Sequence, residues 1–147
     1  MSLSLIFFVL VTSVIFSLLE IQIEGGNGWA GKLPTWKIRD PLKGIINFPY
    51  ISGYHLYFWI LLLFILHFPL FFGISFNIKN ELSIIEVYVL ILLIEDFMWF
   101  VFNPKWGVKK FFTESIPWQA KKLLYLPQIY WIAFVSIAII EFSKQIL

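Results

Sequence analysis

The chain has 147 residues, 60% hydrophobic and 20% aromatic but only 14% charged, with a net charge of +2 and a mean hydropathy of +0.84. That lies outside the soluble globular class and reads as one membrane unit over 1–147, with no polar half to form a second domain. The small net charge gives no footing for nucleic-acid binding, and the absence of cysteine excludes disulfides, thiolate nucleophiles, CxxC redox motifs and Cys-ligated metals.

The first apolar run begins MSLSL, without Lys or Arg, and no Ala-x-Ala site follows it. It therefore reads as a retained membrane span over 3–23 and not as a cleaved leader. Ser13, Ser17, Glu20 and Glu24 are spaced 4, 3 and 4, which puts them on one narrow helical stripe. Such a stripe belongs against protein or water, not lipid, and Ser13 with Ser17 forms a small-xxx-small pair suited to close helix packing. In the segment 24–53, Gly25, Gly26, Gly28 and Gly31 end the helix, and Pro34, Pro41 and Pro49 punctuate the remainder of the loop. Its Trp29, Trp36, Ile45, Ile46, Phe48 and Tyr50 suit a long loop folded at the membrane interface.

A second span is expected over 54–72. His55 lies in its first turn, on a face with Trp59, Leu62 and Leu66. His67 sits deep, beside Phe68 and Pro69, and reads as a histidine satisfied by a backbone carbonyl or hydroxyl. The third span, 82–102, holds adjacent acids, Glu95 and Asp96, each costing about 2.5–3.5 kcal/mol on insertion scales. Glu95 falls roughly 10 Å short of the end at Phe102, from a rise of about 1.5 Å per residue. The two acids point about 100° apart. Glu95 shares a face with Tyr88 and Trp99, Asp96 with Asn103, and the pattern alone does not choose between them. Glu86, one turn inside the outer end, is expected to reach water, and Glu81 and Glu141 to be interfacial. NPKWG, with Asn103 before Pro104 and Gly107 after, stops the helix. The fourth span is expected over 124–142. Ser115 is expected to cap a helix with Pro117 in its first turn, Lys121 and Lys122 beside Trp118 and Leu123 form an interfacial start to the span, and Pro127 kinks or interrupts it.

Nine of the eleven basic residues fall in the loops after spans 1 and 3, with only Lys79 and Lys144 elsewhere. The positive-inside rule makes 24–53 and 103–123 cytoplasmic and puts both termini outside. Five of the seven tryptophans, Trp29, Trp36, Trp99, Trp106 and Trp118, gather on that side as an aromatic belt. The expected fold is an all-α integral membrane protein, four transmembrane helices in a small up-down bundle with a long interfacial loop between the first two.

With that topology Glu20, Glu24, His55, Glu95 and Asp96 meet at one level of the cytoplasmic leaflet. Carboxylates with one imidazole suit one divalent metal ion, and crowded carboxylates need protons or a cation to settle them. Glu95 and Asp96 are the candidate catalytic acids and bases, and Trp29, Trp99 and Asn103 the candidate substrate contacts. The leading expectation is a site for a divalent cation or a small polar or lipid substrate, covered by the 25–31 loop and open to enzyme chemistry of the metal-assisted acid–base kind. Two readings stand beside it: an oligomeric proton or cation channel or carrier, and a non-catalytic membrane subunit or assembly partner. A purely structural cluster, its groups bonding one another, backbone and water, is the plain alternative for the acids. Expected partners are membrane lipids, further copies of the chain or a larger membrane complex. HExxH, paired ExxH, GxSxG, P-loop and GxGxxG motifs are all missing from the sequence.

Overall fold

The computed structural model describes residues 1–39, 48–113, 116–119 and 122–147. It holds five helices: α1 Leu3–Glu24, α2 Gly53–Leu66, α3 Ile78–Phe102, α4 Gly107–Thr113 and α5 Gln128–Ile146. Two short antiparallel ribbons complete it, β1 Lys37–Ile38 with β2 Ile51–Ser52, and β3 Lys122–Leu123 with β4 Leu126–Pro127. Expectations for Pro41, Lys43, Ile45, Ile46, Ser115 and Lys121 lie outside the described residues.

Three helical stretches are long and apolar enough to cross a membrane: Leu3–Glu24, Gly53–Phe72 and Gln128–Ile146. They turn Phe7, Ile15, Phe64, Val135 and Phe142, among others, outward. An apolar surface of that extent belongs in contact with lipid or partner, not water. Each main helix starts where a side chain satisfies free backbone N–H groups, or where Pro has none to satisfy. Ser2 accepts from Leu5 N, Ser52 from His55 N and Asn77 from Asn80 N, and Pro127 precedes α5.

The centre is α3. Ser13 Oγ of α1 lies 3.1 Å from the Ile91 carbonyl of α3, and the buried face of α1 is Val9, Ser13, Ser17, Glu20 and Glu24. Small serines there let the two backbones approach closely. The C-terminal end of α1 meets the N-terminal end of α2 at Glu24 and His55. The far end of α2 meets the start of α3 at His67 and Glu81, and α5 returns along α3 from Tyr130–Asp96 to Lys144–Glu86. So α1 and α3 run one way, α2 and α5 the other. Val9, Leu62, Leu66, Val87 and Ile91 form one apolar cluster among α1, α2 and α3. A second, aromatic cluster of Trp99, Phe100, Phe111, Ile116, Trp118 and Tyr130 closes the other end of α3.

Several boundaries depart from the sequence expectation. The second span is not one α-helix: α2 stops at Leu66 and a 3₁₀ segment, Phe68–Phe72, finishes the run. Pro69 explains the break, since it lacks an N–H and its ring disfavours α geometry in the preceding residue. Pro127 does not kink the last helix but stands before it, because residues 122–127 form the β3–β4 hairpin and α5 begins at Gln128. Pro117 lies in a turn, not in the first turn of a helix. Glu86 does not reach water: it is 4% exposed and paired with Lys144 of α5.

Candidate functional site

Glu20 and Glu24 are one helical turn apart at the end of α1, and both side chains are buried. His55 meets them because Ser52 caps α2 three residues earlier, turning the imidazole inward. His55 Nε2 lies 3.4 Å from Glu24 Oε1 and 3.6 Å from Glu20 Oε1. One ligand atom from each of the three lies within 4.8 Å of the others. On the opposite side of the ring, Nδ1 is 2.7 Å from Ser52 Oγ. A hydrogen bond from the far nitrogen fixes ring orientation and tautomer, as the outer partners of metal-bound histidines do.

The 25–31 loop folds over this group. Glu24 Oε1 accepts from the Ala30 backbone N–H, which ties the acid to the loop beyond it. Trp29 stacks on His55, with ring centroids 4.2 Å apart, and on Phe48 from its other side. Its indole N–H donates to the Tyr50 carbonyl at 2.7 Å, and the Tyr50 hydroxyl donates to the Trp29 carbonyl at 2.8 Å. Burial, and after it the nearby Glu24 carboxylate, raises the Tyr50 phenol above its ordinary range, so it remains a donor. Gly28 is required by space as well as by its φ of 60°: a Cβ there would lie 2.4 Å from the Trp118 ring.

Glu95 and Asp96 separate as their angular spacing demands. Glu95 is buried and contacts Glu20, while its Oε1 has no hydrogen-bond partner. Asp96 turns toward α5 and the segment before it. It accepts from Tyr130 Oη at 2.6 Å and from Gln119 Nε2 at 3.0 and 2.9 Å. Both acids, with Glu20, Glu24 and His55, line a cavity of about 350 Å³ over the face of α3, within the size range of small-molecule sites. Its other walls are largely apolar or aromatic, including Phe58 and Trp59 of α2, Leu92 of α3 and Ile132 of α5.

Of the expected substrate contacts, Trp29 and Trp99 line this cavity. Asn103 does not: it comes just after α3, and its amide N–H donates to the Gly25 carbonyl at 2.9 Å, tethering the loop from beneath. Trp106 Nε1 makes a parallel tether to Gly26 O at 3.2 Å. His67 stands apart, with Nδ1 on the Leu63 carbonyl and Nε2 on Glu81. Sequence reasoning passed over Ser52, Gln119 and Tyr130. Ser52 was legible as an N-cap three residues before His55. Tyr130 was legible by depth, since the last span starts on the side where Asp96 ends. Gln119 had no such signal.

Comparison of the chain with protein-family models, curated proteins and solved structures finds no match.

Proposed function

We propose that the chain is a four-span membrane protein that holds one divalent cation on Glu20, Glu24 and His55 and uses it on an amphiphilic substrate lying in the adjoining cavity. The observation that carries the reading is the spacing of the donors. Ligand bonds of about 2.0–2.2 Å meeting at tetrahedral angles put neighbouring donor atoms about 3.4 Å apart. The His55–Glu24 and His55–Glu20 separations are 3.4 and 3.6 Å. These are long for charge-assisted hydrogen bonds, at about 2.7–2.9 Å, and right for a shared cation. Two carboxylates and one imidazole favour Mn²⁺, Fe²⁺ or Zn²⁺. Three protein ligands leave a coordination position for a substrate oxygen, the pattern of catalytic sites. Glu95, next to Glu20 with one oxygen free, serves as proton acceptor beside the cation.

The fourth span in this reading is α3. Its 25 residues extend about 37 Å, enough for a hydrocarbon core of about 30 Å. It carries four acids, and the three beyond its first turn are each covered by protein: Glu86 by Lys144, Asp96 by Tyr130 and Gln119, and Glu95 within the cavity wall. The basic loops then face the cytoplasm and both termini face outward. The chain has no cysteine, so single introduced thiols report this directly. Ser2→Cys labels with an impermeant maleimide on intact cells, and Lys109→Cys labels only after permeabilisation. The reverse pattern inverts the topology.

The metal reading is tested by elemental analysis of protein purified in mild detergent without chelator, and then by Mn²⁺, Fe²⁺ and Zn²⁺ titration. One equivalent is expected, reduced at least about tenfold in affinity by Glu24→Gln and by His55→Ala, and retained in Asp96→Asn. Affinity rises with pH, because the ligands must shed protons to bind. A folded protein that takes up no metal at any pH defeats the reading.

A further inference from the structure

The cavity contains more polar capacity than the chain uses. Among the described residues, three that line it each hold a buried side-chain atom without a hydrogen-bond partner: Glu95 Oε1, Trp99 Nε1 and Gln119 Oε1. Glu95 and Trp99 are 6% and 4% exposed. Trp99 Nε1 only donates. Gln119 Oε1 only accepts, and its orientation is set because Gln119 Nε2 is held by both oxygens of Asp96. The rest of the wall, among it Phe58, Trp59, Leu92 and Ala133, is apolar or aromatic. Among the described residues, neither Lys nor Arg lines it.

We infer that this cavity takes an uncharged long-chain alcohol, its hydroxyl accepting from Trp99 Nε1 and donating to Glu95 Oε1 or Gln119 Oε1, with its chain along the apolar wall. A hydroxyl carries one donor and two acceptor positions, so it answers an unpaired donor and an unpaired acceptor together. A protonated amine only donates and leaves the indole N–H unmet. An aldehyde or ketone only accepts and leaves both oxygens unmet. A hydrocarbon meets none of the three, and each buried polar atom left unmet weakens the complex. A phosphate or carboxylate head faces Glu95 and Asp96 with no basic side chain on the described wall, and the proposed cation is already shared by the Glu20 and Glu24 carboxylates. This inference rests on the reading of the cavity as a substrate site and names the class of substrate.

The test uses the full chain in nanodiscs, with metal content determined on the same preparation, and tritiated dodecanol as probe. Unlabelled dodecanol is expected to compete at least about tenfold better than dodecane, dodecylamine or dodecyl phosphate. Trp99→Phe removes the N–H along with the pyrrole half of the indole, so it should weaken dodecanol about five- to tenfold, more than it weakens dodecane. Equal competition by dodecane, or preference for dodecyl phosphate, overturns the inference, as does a Trp99→Phe protein with unaltered dodecanol affinity. Saturation by water alone would appear as no specific probe binding, which also overturns it. The two readings fail separately. Stoichiometric metal without alcohol preference removes the alcohol and leaves the metal site. Alcohol preference in a chain that takes up no metal does the opposite.

Discussion

The indole of Trp29 lies almost flat on the imidazole of His55, centroids 4.2 Å apart and planes 23° from parallel. Trp29 has a φ of 50°, a left-handed conformation that disfavours a side chain of this size. The surrounding contacts hold it there: stacking on both faces and the paired hydrogen bonds with Tyr50. Trp29→Ala removes both stacks and is expected to cost about 2–3 kcal/mol, toward the low side of values for buried tryptophan because this ring is only partly covered. Trp29→Phe keeps a ring and should cost less. Denaturation monitored on the remaining tryptophans gives the first number, and limited proteolysis within 25–39 shows whether the loop has lifted. An unchanged cleavage pattern in Trp29→Ala would mean that the stack does not hold the loop down.

Ser52 serves two structures with one hydroxyl. It accepts from the His55 backbone N–H as the α2 cap and sits 2.7 Å from His55 Nδ1. Ser52→Ala should cost about 1 kcal/mol in stability through the cap and 10–100-fold in metal affinity, roughly, through the freed imidazole. Ser52→Thr should restore most of both. Because a cap alone would not alter metal affinity at constant fold, titration of the two variants separates the roles.

Asp96 and Tyr130 join α3 to α5 by a 2.6 Å hydrogen bond. Asp96→Asn leaves one acceptor for Tyr130 and Gln119 to share and sets an amide N–H₂ against the Gln119 Nε2 donor, so about 1–3 kcal/mol should be lost. Tyr130→Phe removes one of those donors. Combined with Asp96→Asn it should cost less than the sum, with a coupling of about 0.5–3 kcal/mol. Strict additivity in the double-mutant cycle would show that the bond contributes nothing to α3–α5 packing.

What was legible in the sequence was whatever depends on periodicity. The 4-3-4 spacing of Ser13, Ser17, Glu20 and Glu24 defined the buried face of α1, and the shared depth of His55 with Glu20 and Glu24 came from alternating helix directions. The angular rule separated Glu95 from Asp96 but gave no neighbours, because the choice between α1 and α5 is a matter of packing around α3. Local backbone chemistry was less visible. Pro127 reads as a kink or an interruption of the span, and only the β3–β4 pairing puts it ahead of the helix. Glu86 was misjudged since its partner, Lys144, is 58 residues away, and no local pattern encodes a contact at that separation.

That pair yields the clearest stability test. Lys144 of α5 is bound to Glu86 of α3, with side chains 15% and 6% exposed, and also meets Glu141 on its own helix. Lys144→Met keeps the aliphatic stem but leaves a carboxylate buried without its cation, which should cost about 3–5 kcal/mol where burial is full and less here. Glu86→Gln alone leaves Lys144 with Glu141, so its cost should be smaller. The double variant, Glu86→Gln with Lys144→Met, should recover most of the stability lost in Lys144→Met, because no unpaired charge remains between the helices. Unfolding in mixed detergent measures all three. If Lys144→Met is as stable as the parent, the pair is solvated and does not fasten α5 to α3.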